Sequence, residues 1–284
     1  MSIVVTGATG HLGRHVVEQL LQKVPADTVT AVARDPEKAA GLAERGVRIA
    51  LADYNAPATF DGLFAAGDKV LLISGNEFDK GRVSQHKVVI DAARSAGVAL
   101  LAYTSAPGGL TAALADDHRA TEELVRASGV PYVLLRNGWY HENYTENLAP
   151  VLEHEAVVTA AGEGRVASAS RADYAAAAVA VLTGAGHENR TYELSGDEAW
   201  GFTQYAAELS RQTGRDIAYT PVTVEAYQDI LTGAGLPEPL AAILAGVDAS
   251  IEKGELAART GDLSRLAGRP TTPLSEAVAT ALKG

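Results

Sequence analysis

Three glycines near the start of the chain have the spacing to hold phosphate. Gly7, Gly10 and Gly13 stand three apart in Thr6-Gly7-Ala8-Thr9-Gly10-His11-Leu12-Gly13. The apolar run Ser2-Ile3-Val4-Val5 precedes them, and Leu12, Val16, Val17, Leu20 and Leu21 follow at helical spacing. Strand, glycine turn and helix, in that order, is the context a dinucleotide fingerprint requires. Gly7 permits the tight turn, Gly10 lets the backbone approach a pyrophosphate, and Gly13 lets helix and strand pack closely. Ala8, Thr9, His11 and Leu12 complete the turn and open the helix, whose unpaired N–H groups and positive dipole end favour phosphate. The spacing departs from the standard Gly-x-Gly-x-x-Gly. The alternative is a tight strand–helix turn with no ligand.

Other residues able to do chemistry recur at the ends of apolar runs. Arg34 follows Val29-Thr30-Ala31-Val32-Ala33. An acid there would take the ribose 2′-hydroxyl of NAD, whereas an arginine accommodates the 2′-phosphate of NADP. A surface pair with Asp35 is the alternative. Asp53 ends the third run, where such folds hold adenine; it can equally cap a following helix. Ser74-Gly75-Asn76 follows the fourth run and can form a glycine turn with the Asn side chain bonded to its own backbone. Ser105 ends the fifth, and His118 and Glu122 follow one helical turn apart. A histidine there can deliver a proton near neutral pH, shape the pocket, or hydrogen-bond Ser105; a glutamate beside it would raise its pKa. The sixth run leads into Asn137-Gly138-Trp139-Tyr140-His141-Glu142-Asn143. Gly138 allows close backbone approach, and Trp139 and Tyr140 can wall a flat aromatic substrate or pack between lobes.

The elements that must position these residues alternate. Strands are expected at 2–5, 29–33, 47–51, 69–73, 98–103 and 130–135. Helices are expected from Leu12, at 37–45, around Leu63 and Phe64, at 83–95 and at 117–128. Alternation of this kind implies a parallel sheet with crossover helices, and ligands lie outside the carboxyl ends of its strands. A seventh strand at 191–194 follows an alanine-rich helix from Arg171 to about Leu182. Helix is expected at 202–212, strand at 216–222, and mostly helix beyond. The predicted fold is α/β, a Rossmann-type doubly wound parallel sheet with a smaller, mostly helical C-terminal substrate lobe. The dinucleotide domain takes 1–137 and is completed by about 169–196. The lobe takes 138–168 and 197–284.

Composition narrows the function classes. The chain has 284 residues, is 47% hydrophobic and carries a formal net charge of −11. Spread acidity without clustered Lys and Arg argues against a nucleic-acid backbone as partner. No apolar run approaches a membrane span. The absence of cysteine excludes disulfides, thiolate metal sites and cysteine nucleophiles. His154 and His187 lack metal-ligand spacing, so no metal is expected. No signal-peptide pattern opens the sequence, which makes a cytoplasmic protein the default expectation. The pattern sets no oligomeric state.

With these residues placed, the chain resembles the NmrA-like group of atypical short-chain dehydrogenases, and within it the type 2 NAD(P)H:quinone oxidoreductases. The stretches that carry the resemblance are Val5 to Gly10, Leu71 to Ser74, Ala102 to Ser105, Leu134 to Tyr140, Ser170 to Tyr174 and Gly268 to Leu274. It implies two-electron reduction of quinones by NADPH without a flavin. It places Ser74-Gly75-Asn76 along the cofactor's central part, Ser168 and the 137–142 segment also at the cofactor, and Ser105, His118 and Tyr140 at the reacting groups. The Tyr-x-x-x-Lys pair usual in short-chain dehydrogenases is absent, and His118-x-x-x-Glu122 stands in its place. That absence keeps a second reading open, a non-catalytic NADP(H)-binding redox sensor acting through a protein partner. A third is reduction of another conjugated cation or dye.

Overall fold

The computed structural model describes residues 1–77 and 81–283. The chain divides into two compact units. The first comprises 1–106, 117–137 and 171–193; the second comprises 107–116, 138–170 and 194–284.

The first unit holds β1 (Ile3–Val5), α1 (His11–Leu20), β2 (Val29–Ala33), α2 (Pro36–Ala43), β3 (Arg48–Leu51), β4 (Lys69–Leu72), α3 (Arg82–Ala96), β5 (Leu100–Ser105), most of α4 (Leu114–Ala127) and β6 (Tyr132–Asn137). The short helix expected around Leu63 and Phe64 is instead one 3-10 turn over Pro57–Phe60. Pro57 suits the start of that turn, and Phe60 and Phe64 are buried by hydrophobicity rather than by helical continuity.

Further along the chain come α5 (Glu142–Thr145), α6 (Ala149–His154), β7 (Ala156–Thr159), β8 (Arg165–Val166), α7 (Arg171–Thr183) and β9 (Arg190–Leu194). The main sheet runs β3-β2-β1-β4-β5-β6-β9. All pairings from β3 through β6 are parallel. This is the doubly wound Rossmann-type sheet that the alternating pattern predicts. Its order reverses between β1 and β4, so the crevice for a ligand opens at their carboxyl ends. The central strands are buried on both faces: Val4, Val70, Leu72, Leu101, Tyr103 and Leu134 share one core with Val89, Ile90 and Ala93 of α3. On the other face α1 packs on α7, with Gln19 Nε2 donating to the Ala172 carbonyl at 2.8 Å.

The second unit adds β10 (Trp200–Gly201), α8 (Phe202–Thr213), β11 (Ala218–Pro221), α9 (Val224–Gly233), α10 (Glu238–Glu252), α11 (Asp262–Ala267) and α12 (Leu274–Ala281). Two small ladders, β11 parallel to β7 and β10 antiparallel to β8, support its helices. An aromatic cluster fills its core, with the Tyr144 ring 5.2 Å from Trp200 and 5.3 Å from Phe202. Residues 107–116, assigned from sequence to the dinucleotide domain, group with this unit. A long-range contact ties them there: Thr111 donates both its N–H and its hydroxyl to the Glu255 carboxylate, at 2.8 and 2.6 Å.

Candidate active site

The glycine turn leaves β1 directly. Gly7 lies at φ +61°, the left-handed region that glycine enters without a Cβ penalty. Its carbonyl accepts the Gly10 N–H at 3.0 Å, closing the turn. A Cβ on Gly13 would come within 2.2 Å of the Gly7 carbonyl oxygen, whereas one on Gly10 would meet only that atom, at 3.2 Å. Gly13 therefore serves packing, and Gly10 has a single close neighbour. The N-cap of α1 is Gly10, which has no side chain to cap the helix. Thr6 secures the turn to β4: its N–H and hydroxyl both donate to the Leu71 carbonyl, and the Ile73 N–H donates to its Oγ1 at 3.2 Å. The Tyr54 hydroxyl lies 2.5 Å from Thr6 Oγ1 and 2.9 Å from the Ile73 carbonyl.

Arg34 stands at the carboxyl end of β2 with its side chain exposed. It does not pair with Asp35, which instead caps α2 by accepting the Glu37 N–H at 2.9 Å. Its guanidinium donates to Glu77 Oε1 at 2.8 Å. That hydrogen bond outweighs partial burial and raises the Arg34 pKa, with the Glu77 and Asp53 charges adding to it. Asp53 accepts the Asn55 N–H at 2.9 Å, an Asx turn ahead of the 3-10 segment.

At the end of β4 the Gly75 N–H donates to His86 Nε2 at 2.9 Å, and His86 Nδ1 lies 2.9 Å from Thr121 Oγ1, which donates to the Asp117 carbonyl. His86 Nε2 therefore accepts, and the ring is the neutral Nδ1–H tautomer. Burial, then the Arg82 charge, lowers its pKa to about 3.

His118 sits in the same interior, 6% exposed. Arg82 Nη2 donates to its Nε2 at 2.7 Å, and its Nδ1 lies 2.8 Å from the Tyr103 hydroxyl. A guanidinium only donates, so His118 is also neutral, with its proton on Nδ1. Burial and then Arg82 hold its pKa well below the ordinary histidine value. This reverses the direction expected from Glu122 in the chain. Ser105 does not bond His118 either; its hydroxyl donates to Glu122 Oε1 at 2.7 Å. Glu122 is gripped by Arg136, whose Nε and Nη2 reach its two oxygens at 2.8 and 2.7 Å, and by Arg126 at 2.9 Å. Burial raises the Glu122 pKa, but the Arg136 and Ser105 hydrogen bonds outweigh it and the net shift is down. Arg136 continues to Glu193 at 2.7 Å, tying β6 to β9.

Asn137 ends β6 and is buried. In the second unit, Gly138, Trp139 and Tyr140 run beside Ala169: the Ala169 N–H donates to the Trp139 carbonyl at 3.1 Å and the His141 N–H to the Ala169 carbonyl at 2.9 Å. Trp139 and Tyr140 are half-buried, and Glu142 opens α5. His141 and Ser168 meet. The Trp200 Nε1–H donates to Ser168 Oγ, the Ser168 hydroxyl faces His141 Nδ1 and His141 Nε2 faces the Thr272 carbonyl, each at 2.9 Å. Both ring nitrogens of His141 are thus engaged within the fold.

Sequence reading missed Arg82, His86, Tyr103, Tyr54 and Glu77. A signal existed for the first two. Arg82, His86, Val89 and Ala93 share one helical face, and polar residues on a face that buries valine and alanine call for partners. Among the described residues no group of three His, Asp or Glu could hold a metal, and no helix is long and apolar enough to cross a membrane.

Known proteins of similar sequence share the fold. Residues 7–185 match the model of the NAD(P)H-binding family. Quinone oxidoreductase 2 of Escherichia coli (strain K12) is 46% identical over 278 residues, 97% of each chain. A crystal structure of the NADPH-dependent quinone oxidoreductase from Escherichia coli, complexed with NADPH, superposes with a TM-score of 0.95 at 45% identity over 99% of both chains. The Citrobacter sp. triphenylmethane reductase complexed with NADP(H) gives a TM-score of 0.94 at 42% identity, covering 99% of this chain and 100% of the other. A glycine turn at the reversal point of a doubly wound sheet, and likeness of this extent, lead to one conclusion: the chain belongs to the NAD(P)H-binding family.

Proposed function

We propose that the chain catalyses NADPH-dependent reduction of a quinone to a hydroquinone by direct hydride transfer. The observation that carries this is likeness over 97% of the chain to a quinone oxidoreductase, in a molecule whose Gly7–Gly13 turn is fit for the cofactor. The turn passes a physical test: Gly10 adds no side chain, a Cβ there would meet only one neighbouring atom, and α1 lacks a side-chain cap. When bound, NADPH supplies two electrons as a hydride, without another carrier.

The chain's own residues have separate tasks. Gly7, Ala8, Thr9, Gly10, His11, Leu12 and Gly13 hold the pyrophosphate by backbone N–H groups and the α1 dipole. Arg34 takes the 2′-phosphate, and Asp53 borders the adenine. Ser74, Gly75 and Asn76 follow the central part of the cofactor, with Gly75 fixed by His86. Asn137, Gly138, Trp139, Tyr140, His141, Glu142 and Ser168 serve the nicotinamide end. His141 and Ser168 act by positioning the backbone rather than by proton transfer. Trp139 offers a flat face to a quinone ring. His118 keeps its proton on the nitrogen facing Tyr103 and braces α3 against α4. Water then protonates the product, whose anion is stabilised by conjugation.

Purified protein without added flavin is expected to oxidise NADPH when 1,4-benzoquinone is added. Binding of NADPH with no turnover would favour the sensor reading, and dependence on flavin would overturn direct transfer. The likeness to a triphenylmethane reductase at 42% identity favours a second acceptor class, delocalised dye cations. Decolourisation of such a dye by the same preparation tests it.

A further inference from the structure

Arg34 stands in acidic surroundings. Glu77 Oε1 accepts its Nη1–H at 2.8 Å, and Asp53 adds a second negative field. Glu77 is the better anchored partner. Its other oxygen accepts from Asn55 Nδ2 at 3.2 Å and from Gln85 Nε2 at 3.1 Å. Gln85 is buried on α3 and also donates to Asn55 Oδ1 at 2.9 Å. The Glu77 side chain is 21% exposed against 59% for Arg34. The acid is therefore braced, and the arginine is the arm free to swing.

We propose that Glu77 sets the degree of cofactor preference: its carboxylate competes with a 2′-phosphate for the Arg34 guanidinium. The proposal rests on the reading of Arg34 as the 2′-phosphate residue. A 2′-phosphate must share the Arg34 guanidinium with Glu77 or draw it away, and in either case remains near that carboxylate, two like charges in one place. A 2′-hydroxyl makes neither demand. Glu77 thus subtracts from affinity for the phosphorylated cofactor and leaves the other nearly untouched, which narrows the discrimination Arg34 supplies. The repulsive element is part of the specificity, as the attractive one is.

The test is calorimetric titration of the full chain with 2′,5′-ADP and 5′-ADP, the halves of the two cofactors that differ in this phosphate. Glu77→Gln keeps an oxygen for Asn55 and Gln85 but presents an amide to Arg34, ending the ion pair without emptying the site. It is expected to bind 2′,5′-ADP about three- to tenfold tighter, the size of an exposed ion pair plus the relieved repulsion. 5′-ADP should change by less than about twofold, and added salt should shrink the gain. In an Arg34→Ala background the gain should be smaller. Unchanged or weaker 2′,5′-ADP binding by Glu77→Gln, while Arg34→Ala still weakens it, would overturn the proposal and leave Arg34 its role. Equal tightening of both probes would also overturn it. Loss of no 2′,5′-ADP affinity in Arg34→Ala would instead refute the Arg34 reading itself.

Discussion

One methyl group, added at two positions of the same turn, should have opposite effects on stability and binding. At Gly13 the added carbon would lie 2.2 Å from the Gly7 oxygen, 2.8 Å from the Ala8 Cα and 2.9 Å from the Ala8 carbonyl carbon, where ordinary contact begins near 3.4 Å. All three are backbone atoms, so no rotamer can relieve the overlap. Gly13→Ala should cost about 2–3 kcal/mol, lowering Tm by about 4–12 °C in a chain of this size. At Gly10 the carbon would meet one oxygen at 3.2 Å, and the residue lies at φ −76°, ψ 173°, open to any side chain. Gly10→Ala should therefore melt within about 2 °C of the parent, near the usual range for surface changes. Its NADPH affinity should nevertheless fall by about tenfold or more, because the methyl stands where a pyrophosphate must approach the backbone. Scanning calorimetry and NADPH titration of both variants separate the cases. Parental NADPH binding by Gly10→Ala would mean that the phosphates lie elsewhere, and a parental Tm for Gly13→Ala would refute the packing argument.

Three further outcomes follow from the site. His118→Ala is expected to keep quinone reductase activity within about 100-fold of the parent, the low end of general-acid contributions; a variant that binds both ligands but has no turnover would make the histidine an obligatory acid. Trp139→Ala should raise the KM for a benzoquinone more than it lowers kcat, since stacking area is lost without change to the hydride donor; an unchanged KM would remove Trp139 from the acceptor's surroundings. The pH dependence has a definite sign. His86 has its pKa lowered from 6.5 to about 3, so its contribution is fully present above pH 6.5 and is lost as pH falls toward 3. Between pH 8 and pH 5 that loss is about 2 kcal/mol, because only the unfolded chain takes up the proton. Urea unfolding of the parent and of His86→Gln at both pH values isolates it, and an equal pH dependence in the two proteins would show that His86 titrates normally.

The sheet was legible because its strands are short apolar runs separated by turn residues, and the Gly7–Gly13 turn because its order is local. What stayed hidden depends on contacts across the chain. Arg34 meets Glu77 43 residues away, and Arg82 meets His118 across 36. Glu122, the obvious helical neighbour of His118, is claimed by Arg136, a β6 residue whose position follows only from the sheet order. The pKa direction of His118 was therefore readable only from three dimensions. Residues 107–116 show the same limit: nothing near Thr111 announces that Glu255, 144 residues on, will hold it. In the small ladders of the second unit β11 was legible, within 216–222, whereas β7, β8 and β10 escaped because strands of two to four residues carry little alternation to read.

The packing of α1 on α7 has a consequence for how the chain is made. Gln19 and its partner Ala172 are 153 residues apart, and α1 buries Leu12, Val16, Val17 and Leu20. At ordinary elongation rates of about 5–20 residues per second, the ribosome delivers α7 about 8–30 s after α1. For that interval the apolar stripe of the nascent helix lacks the cover that α7 gives it. The helix that opens at the glycine turn thus emerges well before the helix that covers it, which makes it a natural client for chaperones during translation.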